Sequence, residues 1–291
     1  MQTLPIKNSF EGPVYFEGTV SSTMDVSRRL AAGGAPHGTV ITTDFQEAGR
    51  GRTGGRPWLG DAGDNLFFTI LLRYGSFAAI PAALTLRTGL AVSLAVEDLV
   101  PALGGLVRVK WPNDVLILLP PGGRKVAGVL SESDGSVVFI GVGVNVRQAE
   151  FPPPLRHKAT SLKLALGELG GLWRVDPDGA EPRFTLLELI LSRLYREMRA
   201  GGGDPASPVP SWRERLEERL YMRGQEVRFT PGEADSGRLV EGQIRGIGPG
   251  GELLILPNDG GSQRSFITGE LDLSAQPSAT PTAQPRDRLE K

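Results

Sequence analysis

The chain has 291 residues, a length that accommodates about two domains. Its 32 Lys and Arg residues balance 33 Asp and Glu residues, which gives a formal charge of −1. A protein whose main task is to grip nucleic acid usually carries a cationic excess, so this class of function is disfavoured. The sequence contains no cysteine, which excludes disulfides, thiolate metal sites and cysteine nucleophiles.

The most apolar stretch of the chain, residues 77–100, is interrupted by Arg87, Glu97 and Asp98. These charges leave no run of about 18 apolar residues, so no membrane span is expected. The N-terminal segment also lacks the apolar core of about 7–15 residues that marks a secretory signal. We therefore expect a cytoplasmic protein.

The hydrophobic pattern of the first half predicts a sheet with helices packed on it. Strands are expected at 13–16, 39–44, 65–72, 106–111, 114–119, 125–131 and 136–146, and helices at 21–32 and 78–100. Turns such as Pro112-Asn113 and Asp134-Gly135 join the last four strands, and short connections favour antiparallel pairing. The predicted fold class is therefore α+β, with a mixed, largely antiparallel sheet.

The second half predicts helices first and a small β module afterwards. Helices are expected at 184–199 and 211–222, and irregular or flexible chain at 147–183 and 201–210. Short strands between Gly-rich turns are expected at 226–230, 237–246, 252–256 and 263–267. This spacing is typical of a small barrel. The expected domains are 1–222 and 223–273, followed by a Pro/Ser/Thr/Ala-rich tail at 274–291 that is expected to be disordered.

The segment GRGRTGGRPW, residues 49–58, places three arginines among four glycines. Glycine lets the backbone point N–H groups at an anion, and the guanidinium group suits phosphate oxygens. The segment therefore predicts a loop that closes over a phosphate-containing ligand, although it lacks the Gly-Lys-Ser/Thr ending of a Walker A loop. A mobile solvated loop, or an Arg-Gly contact to RNA, is the open alternative.

Three further motifs place polar residues beside predicted strands. KWPND, 110–114, puts a lysine, an asparagine and an aspartate at one rim of the sheet, where ligands tend to bind; a plain turn capped by the aspartate is the alternative. In GRKVAGVL, 123–130, Lys125 is one of only six lysines and begins an apolar strand, unless it marks a surface strand end. In GVGVNV, 141–146, the glycines indicate close approach of backbone or ligand. A buried Asn145 would need partners, either an adenine edge or a neighbouring strand.

In this order and spacing the motifs resemble those of biotin protein ligases. The resemblance rests on VSSTMD at 20–25, FQEAGRGRTGGRPW at 45–58 and the three motifs above, and it covers about residues 14–270. It implies a class II synthetase-like catalytic domain of the biotin/lipoate ligase type and a C-terminal SH3-like barrel. Because the motifs begin near residue 20, the chain resembles the monofunctional ligases without an N-terminal DNA-binding domain.

The resemblance implies a reaction in two steps. Biotin and ATP, with Mg²⁺, give biotinyl-5′-AMP, and biotin then passes to one lysine of a biotin carboxyl carrier domain. In the first step a carboxylate attacks the α-phosphate, so two anions approach and cations are needed to offset their repulsion. The implied partner is the carrier domain of a biotin-dependent carboxylase, with no nucleic acid and no membrane, and a homodimer stays open.

The resemblance also implies roles for individual residues. The expected catalytic residues are Lys125, Arg50 and Arg52, and Lys125 is expected between the biotin carboxylate and the α-phosphate. The expected biotin-binding residues are Ser22, Thr23, Met24, Gln46, Arg50, Gly51, Arg52, Trp58 and Lys125, with Met24 standing where the family usually has a polar residue. The expected nucleotide-binding residues are Lys110, Asn113, Asp114 and Asn145, and Asp114 is also the candidate Mg²⁺ ligand.

Two other functions stay open at this point. A lipoate/octanoate-protein ligase would share the fold, but such enzymes lack the combination of GRGR with KWPND. A non-enzymatic biotin sensor would need a DNA-binding or partner domain, which neither the N-terminal segment nor the charge balance indicates.

Overall fold

The computed structural model describes residues 1–52, 58, 60–173, 181–199, 210–232 and 239–272. The tail expected at 274–291 and nearly all of the connection expected at 201–210 lie outside these residues.

The larger of two sheets has eight strands. They are β1 (Gln2–Thr3), β2 (Val14–Val20), β3 (Thr39–Gln46), β4 (Asn65–Arg73), β5 (Val107–Lys110), β6 (Asp114–Leu119), β7 (Gly122–Asp134) and β8 (Val137–Asn145). Their order is β1-β2-β3-β4-β8-β7-β6-β5. Only the β2–β3 pair is parallel among these strands, so the predicted mixed, largely antiparallel sheet is confirmed. The order brings KWPND, GRKVAGVL and GVGVNV onto adjacent strands.

Five α-helices accompany the sheet in the described residues. They are α1 (Thr23–Ala32), α2 (Leu84–Leu99), α3 (Leu162–Glu168), α4 (Pro182–Arg199) and α5 (Trp212–Arg219). Helix α4 packs on α2, which in turn contacts β5, β6 and β7. Apolar side chains of α2, α4 and the sheet form the largest core cluster, in which Leu72, Val92 and Ile190 are fully buried.

The helix expected at 78–100 starts later than predicted, at Leu84. A short 3₁₀ turn, Phe77–Ala79, precedes it, and Ile80 is extended because the residue before a proline avoids the helical region. Ala83 then adopts a φ of 58°. By length and composition alone, Phe77–Leu99 is apolar enough to cross a membrane, but Leu90 and Val96 are fully buried in the protein core.

The prediction of irregular chain at 147–183 is wrong in part, because it contains α3. Ser161 caps this helix by accepting a hydrogen bond from the backbone N–H of Leu164, which satisfies one of the free donors at a helix start. Seven residues are too few for a clear helical period in the sequence.

The smaller sheet, here called the C-terminal sheet, has five antiparallel strands. They are β9 (Glu226–Pro231), β10 (Val240–Ile247), β11 (Leu253–Pro257), β12 (Arg264–Phe266) and β13 (Gly269–Asp272). Their order is β12-β11-β10-β9-β13, and β13 was not predicted. Only Ile267 and Thr268 join the two edge strands, so the sheet must curl until the end of β12 lies near the start of β13. The expected barrel-like module is thereby confirmed.

The C-terminal sheet shares a hydrophobic core with the rest of the chain. Leu86 and Leu90 of α2 belong to the same buried cluster as Phe229 and the tryptophan of KWPND, Trp111. The Trp111 ring lies 5.8 Å from the Phe229 ring, centroid to centroid, and its indole N–H donates to the carbonyl of Gly251 at 3.0 Å. The boundary expected between residues 222 and 223 stays a prediction.

A buried ion pair ties α4 to α5. Glu197 of α4 is 4% exposed and accepts a hydrogen bond from Arg215 at 2.6 Å, while its backbone carbonyl accepts one from Arg87 at 2.9 Å. The guanidinium of Arg87 lies 4.7 Å from the Trp212 ring centroid. The negative charge of Glu197 therefore compensates the positive charges of Arg87 and Arg215, which are poorly solvated.

We predict that Glu197→Ala lowers the free energy of unfolding by about 3 kcal/mol, because it leaves buried cationic charge without its partner. Urea denaturation measures the change. Glu218→Ala, which alters an exposed carboxylate on α5, is the matched control and should shift stability by less than about 0.5 kcal/mol. Equal effects of the two changes would contradict the prediction.

Candidate active site

Two glycines make a flat floor on the larger sheet. Gly128 of β7 and Gly143 of β8 are paired directly across the strands. A Cβ atom at either position would come within 2.9 Å of the Trp58 indole, which is closer than carbon atoms pack. The ring stands edge-on to Phe67, with centroids 6.2 Å apart and planes at 88°. Its Nε1 is buried and has no hydrogen-bond partner within the described residues.

A bulge in β7 turns Lys125 toward this floor. The pairing with β6 skips one residue between Lys125 and Ala127. In an unbroken strand, residues 125 and 128 would point to opposite faces of the sheet, and the extra residue reverses this. A Cβ atom at Gly128 would lie 3.1 Å from Lys125 Nζ, and Nζ lies 5.3 Å from the Trp58 ring centroid. The lysine and the tryptophan therefore share one face.

The backbone of Lys125 is clamped by a segment that no motif predicted. The Lys125 N–H donates to the carbonyl of Lys158 at 2.8 Å, and the N–H of Thr160 donates to the carbonyl of Lys125 at 2.9 Å. The side-chain amide of Asn145, 5% exposed, donates to the carbonyl of Thr160 at 3.0 Å. Because all these contacts use backbone N–H and carbonyl groups of residues 158–160, side-chain identity gives no signal in the sequence.

Charged groups converge beside the floor. Lys125 Nζ lies 2.6 Å from a carboxylate oxygen of Asp114, which is paired across the strands with Lys110. Burial lowers the pKa of Lys110; the nearby cations Lys125 and Arg52 act in the same direction, and the carboxylates Asp114 and Glu270 oppose it. The site therefore concentrates positive charge, as an anionic ligand would require.

The two arginines of GRGR point to opposite sides of the site. Arg50 forms a two-pronged pair with Asp25 at 2.8 and 3.3 Å, and this hydrogen-bonded pair lowers the pKa of Asp25 and raises that of Arg50. Arg52 donates to the carbonyl of Gly269 at 3.2 Å and lies 3.7 Å from Glu270. The loop thus spans from α1 to the C-terminal sheet. Residues 53–57 lie outside the described part.

The start of α1 carries a chain of polar contacts. Ser22 caps the helix through the backbone N–H of Met24. The N–H and the hydroxyl of Thr23 both donate to Gln46 Oε1, at 2.9 and 3.1 Å, and Thr69 donates to the Thr23 hydroxyl at 2.9 Å. These buried polar groups can orient the polar end of an otherwise apolar ligand.

Met24 differs from its neighbours because it is part of the apolar core. It is 3% exposed and packs with Leu71 and Phe139. Its terminal methyl would lie 3.1 Å from a Cβ atom at Gly141. A thioether in this position packs against the sheet and donates no hydrogen bond.

The structure brings together Trp58, Lys110, Asp114 and Lys125. Asn113 has a structural use, since its side-chain amide donates to the carbonyl of Val129 at 3.0 Å. The side-chain NH₂ of Asn145 also makes a hydrogen bond within the chain, and its side-chain carbonyl oxygen is the acceptor that could read a ligand. The binding and catalytic roles expected for these residues, and for Gly51, stay predictions.

A resident metal finds little support in the residues that the structure covers. No three of their His, Asp or Glu side chains come together as a metal site. Asp114, the expected Mg²⁺ ligand, has one carboxylate oxygen 2.6 Å from Lys125 Nζ, so it could offer a metal ion a single carboxylate.

Residues 16–147 match the model of the biotin/lipoate A/B protein ligase family. The biotin–[acetyl-CoA-carboxylase] ligase of Mycobacterium tuberculosis is 33% identical over 241 residues, which cover 81% of this chain and 80% of that protein. The bifunctional ligase/repressor BirA of Bacillus subtilis is 36% identical over 197 residues, and this chain spans 56% of its length. A solved structure, the biotin protein ligase of Aquifex aeolicus in complex with biotin and ATP, superimposes with a TM-score of 0.67 at 28% identity, covering 90% of this chain and 98% of that one.

The contact between Trp58 and the glycine floor gives a prediction. Gly143→Ala should push the indole off the sheet, because its new methyl would lie 2.9 Å from the ring. The fluorescence of Trp58 is obtained by subtracting, for each protein, the spectrum of the same protein carrying Trp58→Phe. In Gly143→Ala this emission should shift to longer wavelength. Gly18→Ala is the control, since a Cβ atom there meets nothing within 4 Å. An unshifted Trp58 emission in Gly143→Ala would show that the ring does not rest on the floor.

Proposed function

Because the chain belongs to the biotin/lipoate A/B protein ligase family, we propose that it activates biotin with ATP to biotinyl-5′-AMP and transfers biotin to a lysine of a biotin carboxyl carrier domain. The observation that carries this proposal is the position of Lys125, beside the glycine floor, Asp114 and the Trp58 ring. There its charge can meet two anions above an apolar surface.

In the first step, a carboxylate oxygen of biotin bonds to the α-phosphorus of ATP, and the bond to the β-phosphate oxygen breaks, so pyrophosphate leaves. Lys125 offsets the repulsion between carboxylate and phosphate and the charge that develops on the phosphoryl oxygens. Its bond to Asp114 holds the amine in place until the anions arrive. In the second step, the acceptor amine attacks the activated carbonyl and AMP leaves.

The floor and the α1 polar chain suit the two ends of biotin. Its fused rings and aliphatic chain are mostly apolar and can pack against the Trp58 ring, which itself rests on Gly128 and Gly143. Its ureido edge needs hydrogen bonds, which Ser22, Thr23 and Gln46 can supply from the start of α1.

The GRGR loop is the proposed lid. In closing, Arg50 and Arg52 exchange their carboxylate partners Asp25 and Glu270 for the phosphate of the adenylate. Both ion pairs are partly exposed, and such pairs contribute only about 0–1 kcal/mol, so the exchange is feasible. A closed lid excludes water, which would hydrolyse the mixed anhydride.

The nucleotide is proposed to lie near Lys110, Asp114 and the side-chain carbonyl oxygen of Asn145, which can accept a hydrogen bond from the amino group of adenine. Mg²⁺ usually reaches such sites on the phosphates, with one or two protein carboxylates. The single carboxylate of Asp114 fits that mode, and Mg²⁺ bound there would neutralise phosphate charge. The partner is proposed to be the carrier protein in the cytoplasm.

We predict that biotin, but not lipoate, supports ATP–pyrophosphate exchange by this protein. Incubation with biotin, MgATP and an isolated biotin carrier domain should add one biotin to that domain, measured by mass spectrometry. Exchange driven by lipoate or octanoate instead would assign the chain to the other branch of the family. Biotin binding without exchange would indicate a sensor.

We predict that Lys125→Ala reduces the rate of biotin-dependent ATP–pyrophosphate exchange at least about 100-fold, the effect typical of removing a transition-state charge donor. Lys163→Ala, at an exposed position of α3, should leave the rate unchanged. A Lys125→Ala rate within about threefold of the parent would remove Lys125 from its central role.

A further inference from the structure

A cavity of about 370 Å³ lies between the C-terminal sheet and the larger sheet. Arg52, Trp111 and Asn113 line one side of it, and Gly251 and Ile267 line the other. Arg52 and Asn113 belong to motifs of the candidate active site, so the cavity lies beside that site. Any molecule that enters by this route meets the C-terminal sheet as well as the lid.

Ile267 is exposed at the rim of this cavity. At 83% it has the highest exposure of the large apolar side chains within the described residues. It lies where β12 passes into β13, a region we call the edge connection (residues 266–270). The position is fixed, since β12 pairs with β11 and β13 pairs with β9 on either side. Covering this side chain with an apolar group of another molecule would be favourable, because it removes apolar surface from water.

The inner side of the edge connection holds the lid. The carbonyl of Gly269 accepts a hydrogen bond from Arg52 at 3.2 Å, and the carboxylate of Glu270 lies 3.7 Å from the same guanidinium. One short segment therefore faces solvent through Ile267 and the GRGR loop through its next residues. A partner that touches Ile267 from the solvent side would therefore contact the chain within three residues of Gly269 and Glu270, which hold Arg52.

We propose that the edge connection is the docking surface for the folded acceptor domain, with Ile267 as the apolar contact, and that Gly269 and Glu270 link docking to the position of Arg52. The inference rests on the proposed function, which requires a protein amine to reach the Lys125 region. The expected partner presents an apolar side chain on its surface beside the acceptor lysine. A free small nucleophile would not need this surface.

The test compares Ile267→Ser with the full-length parent in three assays: ATP–pyrophosphate exchange, transfer of biotin to hydroxylamine, and transfer to the carrier domain over a range of its concentrations. We expect unchanged rates in the first two assays and a KM for the carrier raised about tenfold, equivalent to about 1.4 kcal/mol. Ile267→Leu, which restores an apolar contact, should recover most of the affinity. Leu172→Ser, at a position 76% exposed that does not line the cavity, is the matched control.

A KM for the carrier that is equal in Ile267→Ser and the parent would overturn the proposal, as would an equal rise in Leu172→Ser. A parallel loss in all three assays would also overturn it, because it would show a structural role for Ile267. Failure of the proposed function is distinguishable, since the parent protein would then show no biotin-dependent exchange at all.

Discussion

The site depends on the absence of two side chains. The Trp58 ring and the Lys125 amine reach the face of the larger sheet only because positions 128 and 143 carry no Cβ atom. The bulge in β7 is the second half of the same constraint, because without it Lys125 would face the opposite side of the sheet. The two glycines and the bulge in β7 thus bring the Trp58 ring and the Lys125 amine together.

The electrostatics of the site follow one rule. Three of the cations proposed to meet a ligand anion are paired here with a carboxylate of the chain: Lys125 with Asp114, Arg50 with Asp25 and Arg52 with Glu270. These carboxylates occupy the positions of ligand charges and limit repulsion among the cations. All three pairs retain solvent exposure, so water screens them and an incoming phosphate can compete for the cations.

Much of the fold could be predicted from local patterns, because the buried strands read as apolar runs between strong turns. The start of α2 could not, since Pro81 and the left-handed Ala83 lie inside a continuous apolar stretch. At the site, motif spacing led to Trp58 and Lys125. It could not reveal Thr160, which acts through its backbone, or Glu270, which meets Arg52 across more than 200 residues of chain.

The shared core beneath Trp111 changes how the C-terminal sheet should be regarded. A module that only rested on the surface could be exchanged between homologues by cutting at a linker. Here the indole of KWPND is packed against Phe229 and donates a hydrogen bond to Gly251. The C-terminal sheet and its turns therefore supply part of the core beneath one motif of the candidate site. In a chimaera, the shared core beneath Trp111 would pack poorly unless α2 and the Trp111 turn were transferred together with the C-terminal sheet.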